Sequence, residues 1–594
     1  MENKMKVTFL PSKTEVEVAS GVTIMDALIK AGLSVDAPCG GRGVCKKCMV
    51  NILRGAEKEP VLACQTPVEA DMTVDISGQD EGHRILMGGI SRSVSLSPAI
   101  RAFVLDVPKP STNDLRSCWD RVTDALAEAA GVDASSVKPV PAIVSGLYDT
   151  MNENGFRVEV LLFGNEIIAV RPEGKPILGL AYDIGTTTIA AYLVDLRTGA
   201  DVVQKSLLNP QVKYGADVIM RMKYSIENGL EGPTSAVRGA LSDMAVSALT
   251  EAGADSADVF VVTVVGNTCM HHIFSGISPA SLAYAPYTPA IARPMTLEAS
   301  ECGLKLAPCA KLLLLPNIAG FVGADTVGAA LAAEMDTKDK LTLLIDIGTN
   351  GEMVMGDKNK LVACSTAAGP AFEGALISCG MRGADGAIDH IRLKAGTLDY
   401  SVIGGGDPQG ICGSGLIDLL SELIRVGIVE SGGRIIEADE LDGTDAECYK
   451  DRIITVEGQR AFLIFKDGKT QVHFTQRDVR EVQLAKGAMA AGIEMMSDYL
   501  GVRSDDIDTV LIAGAFGSYM SPKSACGIAL IPPVLEGKVT AIGNAAGQGA
   551  KLALLSDGEY KRAADIAARM NYLELAADPK FQDIFVDMLE FPEI

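Results

Sequence analysis

No run of the sequence is long and apolar enough to cross a bilayer: the apolar stretch from Leu306 to Ala324 is interrupted by Pro308, Lys311, Pro316 and Asn317. The N-terminus lacks a basic stretch leading into an apolar region. No secretory leader is therefore expected, and the cytoplasm is the expected location. Positive charge is in deficit, with 53 Lys and Arg against 76 Asp and Glu and a net charge of -23. Nucleic acid attracts basic faces and is not an expected partner. Nearly all the acidic excess lies beyond residue 95, because residues 1–95 carry 11 Lys and Arg against 12 Asp and Glu. Tryptophan occurs once, as Trp119, and is expected in a core.

What is present is a chain of 594 residues, 48% hydrophobic, enough for several soluble domains. Of its 13 cysteines, nine are scattered singly, as small buried hydrophobes are in a reducing compartment. The other four form a constellation. "APCGGRGVCKKC", residues 37–48, holds Cys39, Cys45 and Cys48, and Cys64 follows in "VLACQT". Four thiolates at these spacings can hold a 2Fe–2S cluster, with Gly40, Gly41 and Gly43 letting the backbone wrap closely around it. Structural zinc is the alternative, although zinc sites usually pair two C-x2-C knuckles and here only Cys45 and Cys48 form one. Alternating "KVTFLPSKTEVEV", helical "TIMDALIKAGL" and the strand-like runs "CMVNIL" and "MTVDI" predict a small β-grasp domain. The loop resembles the "PCGGxGxCxxC" of 2Fe–2S ferredoxins. It departs in one respect, with five residues between its first two cysteines where plant-type ferredoxins have four.

Residues 77–95 are rich in Gly and Ser and read as a tether. The expected organisation is a ferredoxin-type domain over 1–80, a linker over 81–95, a middle domain over 96–175 and an ATPase domain over 176–594. The middle domain has a helical stretch, "CWDRVTDALAEAAG", and a hairpin turning at Gly164-Asn165, with no catalytic motif.

Two segments share one pattern of apolar strand, D-I-G-T and second apolar strand: "LAYDIGTTTIAAYLVDLRTG" (180–199) and "LLIDIGTNGEMVMGD" (343–357). The repetition predicts an internal duplication. Gly185 and Gly348 permit tight turns whose backbone N–H groups can meet phosphate oxygens. Asp183 and Asp346, at the strand ends, can hold magnesium-bound water or orient an attacking one. A third element, "DTVLIAGAFGSYM" (508–520), runs a buried strand into a turn where Gly514 and Gly517 would let an adenine ring lie close to the backbone. "GICGSGLIDLL" and "VTAIGNAAGQGAKLAL" each open a helix.

In this order the elements resemble the acetate and sugar kinase, heat-shock chaperone and actin (ASKHA) superfamily, two ribonuclease H-like halves closing on ATP. The fold class expected is thus multidomain α/β: an N-terminal β-grasp 2Fe–2S ferredoxin domain, a small α/β middle domain and a duplicated ribonuclease H-like ATPase domain of the actin and sugar-kinase type. The resemblance makes Gly185, Thr186, Thr187 and Thr188 the first phosphate loop and Gly348, Thr349, Asn350 and Gly351 the second. Gly514, Ala515, Phe516 and Gly517 become the adenosine loop. Glu352, directly after the second loop, joins Asp183 and Asp346 as a candidate catalytic group, and Glu373 in "GPAFEG" lies in a turn that could approach the nucleotide. His271 and His272 in "TCMHHIFSG" tempt a metal reading, but adjacent helical residues point apart, so capping or packing is expected.

Over essentially the whole chain, "PCGGRGVCKKC", "VVGNTCMHHIFSG", "PNIAGFVGADTVGA", "CSTAAGPAFEGA" and "GNAAGQGA" are similar to the reductive activators of corrinoid proteins of anaerobic one-carbon metabolism. That resemblance implies a 2Fe–2S cluster on Cys39, Cys45, Cys48 and Cys64, ATP with Mg2+, a low-potential electron donor and a corrinoid protein whose Co(II) is returned to Co(I). A homodimer through the ATPase domain is also expected. The competing readings are an electron-injecting activator of another low-potential enzyme, a small-molecule kinase, and a non-enzymatic sensor of ATP and redox state.

Overall fold

The computed structural model describes residues 4–31, 33, 48–54, 57–76, 90, 92–348, 350–394, 396–514, 517 and 519–593. At the front, Lys4–Leu10 and Thr14–Ala19 form an antiparallel hairpin, and the helix Ile24–Lys30 follows. Met49–Arg54 pairs with Glu57–Leu62, and Met72–Asp75 then inserts beside the first strand and parallel to it. The outcome is a five-stranded β-grasp sheet. Helical spacing puts Ile24, Ala27 and Leu28 on one face, against Val7, Phe9 and Val50 from the sheet. The strand Glu57–Leu62 was not anticipated from its charged sequence.

Ile100–Asp106, Arg157–Phe163 and Glu166–Arg171 make the antiparallel sheet of the middle unit, with the turn at Gly164 in the left-handed region (φ 55°). The helix Cys118–Ala130 covers one face; Ser117 caps its start and Gly131 ends it. Trp119 is partly buried in that core, as expected. The other face supplies Ile100, Leu161 and Ile168 to the core of the ATPase unit. Buried Glu159 binds Arg171 and Arg197, and Arg171 reaches Asp258, so the middle unit is tied to the body by charge as well as by apolar packing.

The body holds two six-stranded sheets that correspond in five strands. In the first lobe Leu178–Ile184, Thr188–Asp195 and Asp201–Leu208 run antiparallel, and Val259–Gly266 and Lys311–Leu314 add parallel strands on the other side. In the second, Thr342–Ile347, Gly351–Gly356 and Leu361–Thr366 take the antiparallel places, and Thr509–Ala513 and Val539–Gly543 the parallel ones. The duplication read from the two D-I-G-T turns thus extends over five strands of each sheet; the sixth, Met295–Glu298 in the first and Met570–Tyr572 in the second, lies at opposite edges. The helices Ala324–Ala332 and Ala545–Leu555 cross between the lobes where glycines meet: a Cβ built on Gly549 would lie 2.0 Å from the Gly328 carbonyl oxygen. The second of these helices leaves the second lobe's sheet yet packs on strands of the first, and its Ala550 carbonyl accepts from Thr263 Oγ1 at 2.8 Å.

The tether differs from expectation at its far end. Ile90 N–H donates to Ile542 O at 2.8 Å, Arg92 is hydrogen-bonded to Glu559, and Ser97 exchanges backbone bonds with Leu555 and Asp557. Residues 90 and 92–97 are strapped to the body because the Ile90 and Ser97 N–H groups and the Arg92 guanidinium find partners there and Ile90 and Val94 pack on its core. A Gly/Ser composition count does not register such pairing.

Candidate nucleotide cleft and thiol pair

A cavity of about 380 Å³ lies between the two lobes, lined by both D-I-G-T turns. The first turn is held from behind. Asn209 Nδ2 donates to Gly185 O at 2.8 Å, Arg221 Nη2 to Thr186 O at 2.6 Å, and Asn209 N to Thr187 O at 2.8 Å. In a trans peptide the N–H points opposite to the carbonyl, so the amides of Thr186, Thr187 and Thr188 turn toward the cleft. Asn267, which caps the helix Thr268–Ser275, fixes Thr186 Oγ1 at 2.9 Å. The second turn closes on itself, Gly348 N–H donating to Asn350 O at 2.9 Å.

Asp183 and Asp346 end equivalent strands and face the same cavity. Register places Glu352 directly across the hairpin from Asp346. The sequence reading missed a fourth carboxylate, Asp325, which sits in the first turn of the interlobe helix Ala324–Ala332 and lines the cleft. Burial and the charges of Asp325 and Asp346 raise the Asp183 carboxyl to about 7, against a hydrogen bond from Asn544 that lowers it. Asp346 is likewise raised to about 7, by burial and by Asp325. Asp325 itself rises to about 6 through burial. Glu352 is pushed well above the ordinary range by burial and then by Asp325 and Asp346. Among the described residues no three acidic, imidazole or thiol groups stand close enough to ligate an ion by themselves.

Gly185, Thr186, Thr187, Thr188, Gly348, Asn350 and Gly514 all line the cavity. Gly514 (φ 89°) approaches Asp346 so closely that a Cβ would lie 2.8 Å from its Oδ1. Glu373 lines the cavity too, accepting from Thr187 Oγ1 across the lobes at 3.3 Å. Gly351 and Gly517 are not among the lining residues; they allow close packing, a Cβ on each falling 1.9 Å from Met489 Sδ and 2.2 Å from Ile512 Cγ2. Thr349, Ala515 and Phe516 lie outside the described residues. His272 is engaged by Thr268 O and the Ala290 N–H, and His271 is 2% exposed with its pKa lowered to about 3 by burial. Neither lines the cleft.

In the front domain Cys39 and Cys45 lie outside the described residues. Cys48 and Cys64 are buried, with their sulfurs 3.2 Å apart, and Gln65 Nε2 approaches Cys64 Sγ at 3.7 Å. Ala63 N–H donates to Cys48 O, fixing the two strand ends side by side. Two neighbouring thiols in an apolar setting, with an amide donor nearby, fit a pair of ligands to one iron.

Duplicated ribonuclease H-like sheets closing on a carboxylate-lined cleft, behind a β-grasp domain with paired thiols, define an ASKHA-type ATP-binding protein fused to an iron–sulfur domain. Four family models divide the chain: a 2Fe-2S iron-sulfur cluster binding domain over residues 7–69, the RACo linker region over 89–175, the RACo middle region over 178–338, and the C-terminal ASKHA domain of RACo over 340–594. The chain is 34% identical to the corrinoid activation enzyme RamQ of Eubacterium limosum, covering 98% of both chains. It is 22% identical to a [Co(II) methylated amine-specific corrinoid protein] reductase of Methanosarcina barkeri, over 70% of this chain and 77% of that one. Its structure matches that of a reductive activator for a corrinoid, iron-sulfur protein with a TM-score of 0.75 at 32% identity, over 99% of this chain and 98% of that one. The chain belongs to the RACo family of corrinoid reductive activators. Among the described residues no helix is long and apolar enough to cross a membrane.

Proposed function

We propose that this protein couples ATP hydrolysis to one-electron reduction of a partner's corrinoid, returning Co(II) to Co(I) for a methyltransferase system. The observation that carries the reading is the presence, in a chain related end to end to such activators, of both a paired-thiol β-grasp domain and a carboxylate-lined cleft between duplicated lobes. Cys39, Cys45, Cys48 and Cys64 are the residues to hold a 2Fe–2S cluster, which supplies one-electron transfer. A low-potential donor fills it, the cytoplasm is the compartment, and the ATPase domain is the dimerisation surface. The domains run 1–80, 96–175 and 176–594, with the linker 81–95 strapped at its far end.

Thr186, Thr187 and Thr188 present amides to the triphosphate from one lobe, and Gly348, Thr349 and Asn350 are the residues to meet it from the other, Gly351 serving to pack the hairpin against Met489. Gly514, Ala515 and Phe516 are the residues to receive adenosine, Gly514 also making room for the Asp346 carboxylate and Gly517 packing against Ile512. Asp183 and Asp346 receive the hydrated magnesium ion, and Glu352 orients the attacking water. Burial and mutual repulsion raise these carboxyls, and a magnesium ion held between them would favour their charged, accepting form. Lobe closure assists an uphill electron only if the closed form binds the partner differently, since a conformational change without differential affinity shifts no equilibrium. Anaerobic mixing of the reduced protein with ATP and a Co(II) corrinoid protein tests this: Co(I) absorption should develop with ATP and stay near baseline without it. ATP-independent reduction would overturn the coupling.

A further inference from the structure

The cleft is acidic. Six carboxylates line it (Asp183, Asp325, Asp346, Glu352, Glu373 and Asp389), and among the described lining residues Arg382 is the one cation. Behind the first phosphate loop, however, lies a second guanidinium. Arg221 is 0% exposed on the helix Val218–Asn228. Its described hydrogen-bond partners are all neutral: Nη2 donates to Thr186 O at 2.6 Å, Nε to Gly215 O at 2.9 Å, and Nη1 reaches Met270 Sδ at 3.2 Å and Gln211 Oε1 at 3.5 Å. Asp217, whose charge acts on Arg221, accepts from Met220 N to cap its own helix and makes no described hydrogen bond to the guanidinium. Burying a cation whose hydrogen bonds all go to neutral groups is costly. Burial lowers its pKa only to about 10, so it stays charged at neutral pH.

Thr186 O accepts from this guanidinium, and the peptide's N–H faces the cleft. The guanidinium therefore both orients the loop and polarises the peptide that presents an amide to phosphate. We infer that Arg221 is a positioning residue of the first phosphate loop: its buried charge, hydrogen-bonded only to neutral groups among the described residues and with Asp217 as an anionic neighbour already engaged at its own helix start, favours the phosphate chain of the nucleotide from the other side of the peptide without touching it. The inference rests on reading the cleft as the ATP site. With one peptide layer intervening, ~8 Å separates guanidinium and phosphate, and a unit charge at that distance with an effective dielectric of ~20 alters affinity roughly 30-fold.

The test is a ladder of affinities of the full-length protein for adenosine, AMP, ADP and ATP, with magnesium present. Arg221→Gln should leave adenosine within about 2-fold of the parent and weaken ATP roughly 30-fold, the loss growing with each phosphate. Arg221→Lys keeps the charge and should recover most of the ATP affinity. Gln211→Glu keeps the arginine but sets a carboxylate beside it, and should weaken ATP in the same graded way. If Arg221→Gln does not fold, the Gln211→Glu ladder decides. A loss equal for adenosine and ATP, or an Arg221→Lys as poor as Arg221→Gln, would make Arg221 a structural residue only and overturn the inference. A parent that does not prefer ATP over adenosine would instead defeat the reading of the cleft, a result distinct from a parent that shows the preference and variants that keep it.

Discussion

Replacing Asp325 by Asn should make the ligand-free protein more stable while disabling it. The Asp325 carboxyl is raised from 3.8 to about 6, and its charge in turn raises Asp183, Asp346 and Glu352. Asn keeps the shape, and its amide oxygen can still accept from the Thr326 N–H, which Asp325 Oδ1 meets at 2.7 Å. A displacement of ~2 pH units corresponds to ~3 kcal/mol when the carboxylate is charged. An imperfectly paired NH2 offsets part of this, so the expected net gain is about 1–3 kcal/mol. The sign follows from linkage. The native pKa lies above the unfolded value, so the native state binds more protons between them and the parent's stability falls as pH rises from ~4 through ~6. The advantage of Asp325→Asn should therefore be full at pH 8 and gone below pH 4. Thermal unfolding without nucleotide or divalent cation should show a midpoint higher by roughly 2–6 °C at pH 8. With magnesium and ATP the order should reverse, because the parent gains a cation partner that the variant has weakened, and ATP turnover of the variant should fall roughly 100-fold. A variant less stable than the parent at pH 8 without ligand would refute the argument that the cleft holds unrelieved repulsion.

Asp183→Asn and Asp346→Asn should each abolish ATP-driven corrinoid reduction while leaving the visible spectrum of the iron–sulfur domain and its reduction of artificial dyes unchanged; full ATP-driven reduction in either variant would disconnect these turns from the coupling. Cys48→Ala or Cys64→Ala should drop bound iron from two per chain toward zero, measured by iron and acid-labile sulfide, and one zinc with no sulfide in the parent would point to the alternative metal. Gly549→Ala sets a methyl 2.0 Å from the Gly328 carbonyl, so the interlobe helices must separate, at a cost of about 1–3 kcal/mol visible as a lower unfolding midpoint. Removing residues 1–89 should leave ATP binding intact, whereas removing 1–97 deletes the bonds to Ile542, Glu559 and Leu555 and should lower the midpoint of the body.

The two D-I-G-T turns were legible because glycine, a strand-end acid and flanking apolar alternation are local signals, and repetition raised each above chance. The β-grasp fold was legible for the same reason, from alternating strands around a helical run. Asp325 was not: it stands alone in "GFVGADTVGA", and only the crossing of two glycine-bearing helices brings it to Asp183 and Asp346. Glu373 was flagged from its turn, but its contact with Thr187 depends on lobe closure, which no local pattern encodes. Arg221 gave no signal, since an arginine in an amphipathic helix ordinarily faces water. Gly351 and Gly517 show the converse. A glycine beside a ligand and a glycine beneath a packed side chain look alike in sequence, and the space around each Cβ position separates them.

The strap at residues 90 and 92–97 sets a leash. Ile76 is the last described residue of the front domain and Ile90 is pinned to the strand Val539–Gly543. Fourteen virtual bonds at ~3.5 Å allow no more than about 50 Å between those points, whatever path the chain takes. Any corrinoid that accepts electrons from this protein must therefore bring its cobalt inside a sphere centred on Ile90 whose radius is that reach plus the span of the front domain. A partner held on the far side of that radius would be out of range however tightly it bound. Shortening the leash by a few residues becomes a ruler for the docking position, because transfer should fail abruptly at the length where the sphere no longer reaches the bound cobalt.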